Sequence, residues 1–106
     1  MQNANWPWPD MTAETLLRRA RAAAERAYAP YSNFKVGAAL LTSDRSVILG
    51  CNVENASYGL SICAERSAIG NMVAIGHLDP VAIASRRQIE YPVPSVRGVP
   101  SSVGGI

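Results

Sequence analysis

Apolar residues recur at helical spacing through Leu16, Leu17, Ala20, Ala24 and Ala27, the pattern of a helix that buries one face. Thr12 stands where a hydroxyl can accept an orphan amide of the first turn. Pro30 ends the run. The spacing therefore predicts a helix from about Thr12 to Tyr28, with Arg18, Arg19, Glu25 and Arg26 mostly facing water. Residues 1–11, which include Trp6-Pro7-Trp8-Pro9, read as an irregular lead-in, because proline donates no backbone hydrogen bond and pushes its predecessor out of helix. Phe34 to Leu41 is apolar with few β-branched residues. Thr42-Ser43-Asp44-Arg45 reads as a turn and Val47 to Gly50 as the returning strand of a hairpin. Asn52 to Leu60 is polar and irregular. A second helix is predicted over Ile62 to Ile75, with Gly76 as the residue that closes it. Pro80 then precedes a short strand, Val81 to Ala84. The order α-β-β-α-β predicts an α/β fold, a sheet covered by helices. From Arg86 onward the pattern dissolves into short polar pieces punctuated by proline and glycine. The chain thus divides into one domain over 1–85 and a divergent tail over 86–106, which composition alone reads as a disordered end.

Length and composition narrow the function classes. A chain of 106 residues is one domain with a small core. At 48% hydrophobic and 17% charged it is ordinary globular material. A formal net charge of +2 is too small to point to nucleic acid. No apolar run approaches the roughly 18 residues of a membrane span. The N-terminus has neither the basic flank nor the apolar core of a signal peptide. Two cysteines do not make a disulfide framework, and a cytoplasmic protein with reduced thiols is expected.

Candidate chemistry sits in three places. Cys63-Ala64-Glu65 opens the second predicted helix, whose N-terminus favours a thiolate at Cys63. A thiolate is a zinc ligand, and Glu65 is placed to move a proton of a metal-bound water. Alone, the tripeptide reads first as a buried helix cysteine and a glutamate complementing the dipole. Asn52 and Glu54, two apart in an extended segment, can face one side and offer donors and acceptors to a sugar diol; turn chemistry is the plainer reading. Phe34, the only phenylalanine, either stacks on a flat ring or starts the core. His77 after the helix end reads as a surface or capping residue. Cys51 reads as a small buried one.

The order of these pieces carries more than any one of them. Tyr28-Ala29-Pro30-Tyr31-Ser32-Asn33-Phe34-Lys35-Val36-Gly37-Ala38-Ala39 is followed by Gly50-Cys51-Asn52-Val53-Glu54-Asn55-Ala56-Ser57-Tyr58-Gly59 and then by Cys63-Ala64-Glu65-Arg66. The set resembles the small, free-nucleoside cytidine deaminases over roughly Leu16 to Ser85. That resemblance implies a three-layer α/β/α sandwich, truncated here in its C-terminal part, a homotetramer, a Zn2+ cofactor and a role in pyrimidine salvage. It implies Cys63 as a zinc ligand, Glu65 as the proton shuttle, Asn52 and Glu54 on the ribose, Phe34 on the pyrimidine and the Ala64 backbone on the base. Arg66 would neutralise the zinc-bound thiolate. Cysteine at 63, where related enzymes have histidine, points to an all-cysteine site. The implied reaction is attack on cytosine C4 by a hydroxide formed from zinc-bound water, with Glu65 carrying the proton to N3 and assisting ammonia.

The same pattern requires a later Pro-Cys-x-x-Cys, and no cysteine follows Cys63. A catalytic zinc takes three protein ligands, so the chain carries half of such a site. Synonymous codons exist for Ser95 to Ile106 that, read one base later, give Pro-Cys-Gly-Ala-Cys-Arg-Gln-Val-Leu-Ala-Glu. That is the missing motif, and a frame change between Ser85 and Ser95, genuine or a sequencing error, would account for its loss. Three functions follow in order. The first is a zinc-dependent deaminase of cytidine and deoxycytidine. The second is a catalytically impaired remnant with at most a fold or subunit-association role. The third, a nucleic-acid-editing deaminase, has no basic groove to support it.

Overall fold

The structure is a computed structural model, and it describes residues 12–56, 61–86, 88–93 and 95–97. The irregular lead-in before Thr12 lies outside the described residues. Six elements follow in order: α1 (Ala13–Ala24), β1 (Gly37–Thr42), β2 (Val47–Cys51), α2 (Ala64–Ala74), β3 (Pro80–Ser85) and β4 (Gln88–Glu90). The strands form one sheet in the order β2-β1-β3-β4, every neighbouring pair antiparallel.

Strand β1 is buried along its whole length. It has no Val or Ile, yet it forms a strand because both its faces are covered, and a strand buried on both sides reads as a continuous apolar run. Ala39 and Leu41 point to one face, with Ala82 and Ala84 of β3, and pack on Leu16 and Ala20 of α1. Ala38 and Leu40 point to the other, with Ile83, and pack on Ala64, Ala68 and Met72 of α2. The result is helix, sheet, helix: the three-layer α/β/α arrangement expected from the sequence.

Two glycines set how closely the helices approach. A Cβ on Gly37 would lie 2.0 Å from the Ala20 carbonyl oxygen of α1, and one on Gly50 would lie 2.4 Å from the Ala68 amide nitrogen of α2. Helix backbone therefore rests on strand backbone at both points, an approach that only a residue without a side chain permits.

Local capping follows the sequence. Thr12 caps α1 by accepting from the Thr15 amide at 3.1 Å. At the end of α2, Gly76 adopts φ 101°. Its amide donates to Val73 at 3.0 Å, and that of His77 to Met72 at 3.1 Å, the paired bonds of a Schellman close.

Some element ends differ from the sequence reading. Helix α1 stops at Ala24, short of Tyr28, because Tyr28 is drawn into backbone pairing with the segment after β2: its amide donates to Asn52 at 3.1 Å and its carbonyl accepts from Glu54 at 2.8 Å. Helix α2 starts at Ala64 and not Ile62, because Ile62 and Val53 exchange two hydrogen bonds of 2.9 Å. The turn read over Thr42-Ser43-Asp44-Arg45 is present: Thr42 ends β1 and opens it, its carbonyl accepting from the Arg45 amide at 2.9 Å and its buried hydroxyl tying to Asp44 and Ser46. Part of the chain after Ser85 continues the sheet. Gln88–Glu90 pair along the open edge of β3, which offers the unpaired amides and carbonyls of any sheet edge. Val93 donates to Val81 at 3.0 Å and Val96 to Leu78 at 3.3 Å. Arg97 pairs with Asp79 at 2.6 Å.

Candidate active site

The pairing of Tyr28 with Val53, and of Val53 with Ile62, joins three loops at one end of the sheet. It carries Asn52 and Glu54 beside the loop that follows α1, and it delivers Cys63 to the start of α2. One cleft of about 460 Å³ opens there. All seven residues nominated from the sequence line it: Phe34, Asn52, Glu54, Cys63, Ala64, Glu65 and Arg66.

Glu54 holds the loop before β1. Its Oε1 accepts from the amides of Tyr31 at 2.9 Å and Ser32 at 3.1 Å, and its Oε2 accepts from the Ser32 hydroxyl. The Ser32 hydroxyl, aided by the Ser32 and Tyr31 amides, keeps the Glu54 carboxyl below the usual carboxylate range. Asn52 holds the next stretch: its Oδ1 accepts from the Val36 amide at 2.9 Å and its Nδ2 donates to the Phe34 carbonyl at 2.9 Å. These bonds span 16 to 23 residues of sequence, so neither side chain is spent on its own turn. Capacity remains on both. A carboxylate has about four lone-pair sites and an amide two N–H groups, so each residue keeps a free position for a ligand.

The loop so held presents Phe34, which is 53% exposed and so is not the start of the core. The Arg86 guanidinium lies over its ring, 4.9 Å from the centroid, within cation–π range. Arg86 reaches that place from the end of β3 with φ 50°, a conformation uncommon for a residue with a side chain.

Cys63 is the N-cap of α2, extended at φ −80° and ψ 162°, exposed, and makes no side-chain capping bond. Its thiol is open to the cleft. Glu65, in the first turn, accepts a 2.8 Å hydrogen bond from the Ser85 hydroxyl at the end of β3. Ser32, Ser85 and Arg86 are residues of this site that the sequence reading did not single out. Nothing in the local pattern marks them, because each acts on a partner far along the chain.

The donor set does not fit a catalytic zinc. The chain has two cysteines and one histidine. Cys51 lines a different cleft, with Ala22, Ala23 and Ser67. His77 follows the far end of α2, roughly 16 Å along the axis from Cys63 by the helical rise, and its Nε2 pairs with Asp44 at 3.2 Å. Among the described residues no three His, Cys, Asp or Glu come together as a metal site, whereas catalytic zinc needs three protein ligands.

Residues 10–85 match the family described as the cytidine and deoxycytidylate deaminase zinc-binding region. A cytidine deaminase of Halalkalibacterium halodurans is 52% identical over 84 residues, 79% of this chain and 64% of that protein. One from Mycobacterium tuberculosis is 52% identical over 61 residues, 58% of this chain and 46% of its own length. Among solved structures, the cytidine deaminase of Burkholderia pseudomallei superposes with TM-score 0.69 at 58% identity, covering 71% of this chain and 61% of that one. That of Mycobacterium leprae gives 0.67 at 41% identity, covering 90% and 75%. The chain thus spans less than two thirds of the Halalkalibacterium relative.

Proposed function

Because this chain belongs to the cytidine and deoxycytidylate deaminase family, we propose that it is the nucleoside-binding and proton-transferring part of a hydrolytic deaminase acting on cytidine and deoxycytidine. One observation carries the reading: a single cleft gathers the sugar-type pair Asn52 and Glu54, the exposed ring of Phe34, and the Cys63–Glu65 helix start. In this reading the free acceptor of Glu54 and the free donor of Asn52 take the ribose hydroxyls. Phe34 packs on the pyrimidine, and the Ala64 backbone meets its edge. Glu65, steadied by Ser85, moves a proton from the attacking water to ring nitrogen N3. Cytidine and water become uridine and ammonia.

Zinc belongs to the family's chemistry, with Cys63 as the residue of this chain that would ligate it and Arg66 as the neighbouring cation. Among the described residues no further ligands gather beside Cys63, so no step is assigned to the metal. Exposed Tyr28, Tyr31 and Ile62 around the cleft support association of several chains, four by resemblance. No helix among the described residues is long and apolar enough to cross a membrane. A cytoplasmic place in pyrimidine salvage goes with the same reading.

The test is to restore the alternative reading frame from position 95 onward and follow conversion of cytidine to uridine. Deamination should appear, and Glu65→Gln should lower it at least about a hundredfold, the scale of general acid–base catalysis. A frame-restored protein that is folded but inactive, or a Glu65→Gln variant of near-normal rate, would remove this assignment. Nucleotide sequence across codons 85 to 95 shows directly which frame is natural.

A further inference from the structure

The recognition groups of the cleft are held by hydrogen bonds from the chain itself. Glu54 is fixed by three donors from Tyr31 and Ser32. Asn52 is fixed by the backbone of Phe34 and Val36. Glu65 is fixed by Ser85, and the Phe34 ring is covered by Arg86. The only thiol in the cleft, Cys63, has no second soft ligand within reach, since Cys51 and His77 stand elsewhere. We infer that the 106-residue chain binds pyrimidine nucleosides reversibly and without metal, taking substrate-type and product-type bases alike.

Two features define the ligand class. Among the described residues the cleft is lined by two carboxylates, Glu54 and Glu65, and two guanidinium groups, Arg66 and Arg86, whose formal charges balance. A neutral nucleoside suits that balance, whereas an added phosphate would meet carboxylates as well as cations and gain little. At the base end, the fixed partner is a carboxylate, an acceptor. It can take the exocyclic amine of cytosine or the ring N–H of uracil, so it does not separate the two bases. A metal-bound hydroxide would separate them, because it reacts with only one.

This inference rests on the nucleoside reading of the cleft, and the experiment tells the two apart. The purified chain is dialysed against a chelator, its zinc measured by elemental analysis, and its binding of cytidine, uridine, cytidine 5′-monophosphate and free cytosine measured by titration calorimetry before and after chelation. The expected result is zinc below about a tenth per chain. Cytidine and uridine should agree within about tenfold, unchanged by the chelator, and the monophosphate should gain no more than about threefold over cytidine. Free cytosine should bind at least about tenfold more weakly than cytidine. Glu54→Gln should erase that difference, with Phe34→Ala as a second, exposed-site variant that weakens both nucleosides. Stoichiometric zinc, or nucleoside binding lost on chelation, overturns the metal-free inference and leaves the nucleoside reading standing. A folded chain that binds no nucleoside, with or without added zinc, overturns both.

Discussion

Replacing Gly50 by alanine tests whether close helix–strand contact sets the geometry of the cleft. The new Cβ would lie 2.4 Å from the Ala68 nitrogen, 2.6 Å from the Ala64 carbonyl oxygen and 2.8 Å from the Ala68 Cα, where ordinary contact is 3.4–4 Å. All three atoms belong to the backbone of α2, so no rotamer change relieves them. Helix α2 must withdraw by about 1 Å, the difference between 2.4 and 3.4 Å. A gap of that size forfeits a quarter to a half of each dispersion contact that Ala64, Ala68 and Met72 make with the sheet. Overpacking of this kind costs about 1–3 kcal/mol. At about 4–8 °C per kcal/mol for a small domain, Gly50→Ala should melt several degrees or more below the parent. Because Cys63 and Glu65 ride on the N-terminus of α2, nucleoside binding should weaken as well. The control is Gly70→Ala in the same helix, where a Cβ meets nothing within 4 Å. There the change should raise stability by about 0.5–1 kcal/mol through helix propensity. Thermal denaturation followed by circular dichroism measures both. If the two variants melt together, the close approach at Gly50 does not constrain the fold and the reasoning fails.

Acid should release the loop that carries Phe34. The Glu54 carboxyl is held below its ordinary value of 4.5, chiefly by the Ser32 hydroxyl. A depressed carboxylate contributes order that is fully present above the ordinary value and is lost as pH falls through the lower, folded one. Cytidine affinity should therefore persist through pH 4.5 and fall only below it, and Ser32→Ala should move that fall upward; a loss centred above 4.5 in the parent protein contradicts the clamp. Thr12→Ala removes the acceptor of the Thr15 amide and should cost about 1 kcal/mol, with Thr12→Ser recovering most of it in the same melting experiment; an unchanged melting temperature would mean that α1 does not depend on its cap.

Sequence alone determined the elements that are written in near neighbours. The apolar spacing of Leu16 and Ala20 makes α1 and its buried face, Thr12 starts it, and Gly76 closes α2, because each signal acts across three or four residues of one helix. The donor inventory is also a matter of sequence: two cysteines and one histidine are the same count in any fold. The motif order nominated Phe34, Asn52, Glu54, Cys63, Ala64, Glu65 and Arg66, and those residues do share one cleft. What only the tertiary structure decided depends on partners far apart in the chain. Tyr28 and Ile62 have helical spacing, yet both leave their helices to pair with Val53, since a backbone bond across a loop junction outweighs a frayed last turn. Residues 88–90 alternate polar and apolar over a stretch too short to read as a strand, and become β4 because β3 has an open edge to fill. Ser32, Ser85 and Arg86 are unremarkable where they stand in sequence. They become part of the site because folding brings a hydroxyl to each of two carboxylates and a guanidinium to an exposed ring, contacts that no local periodicity encodes.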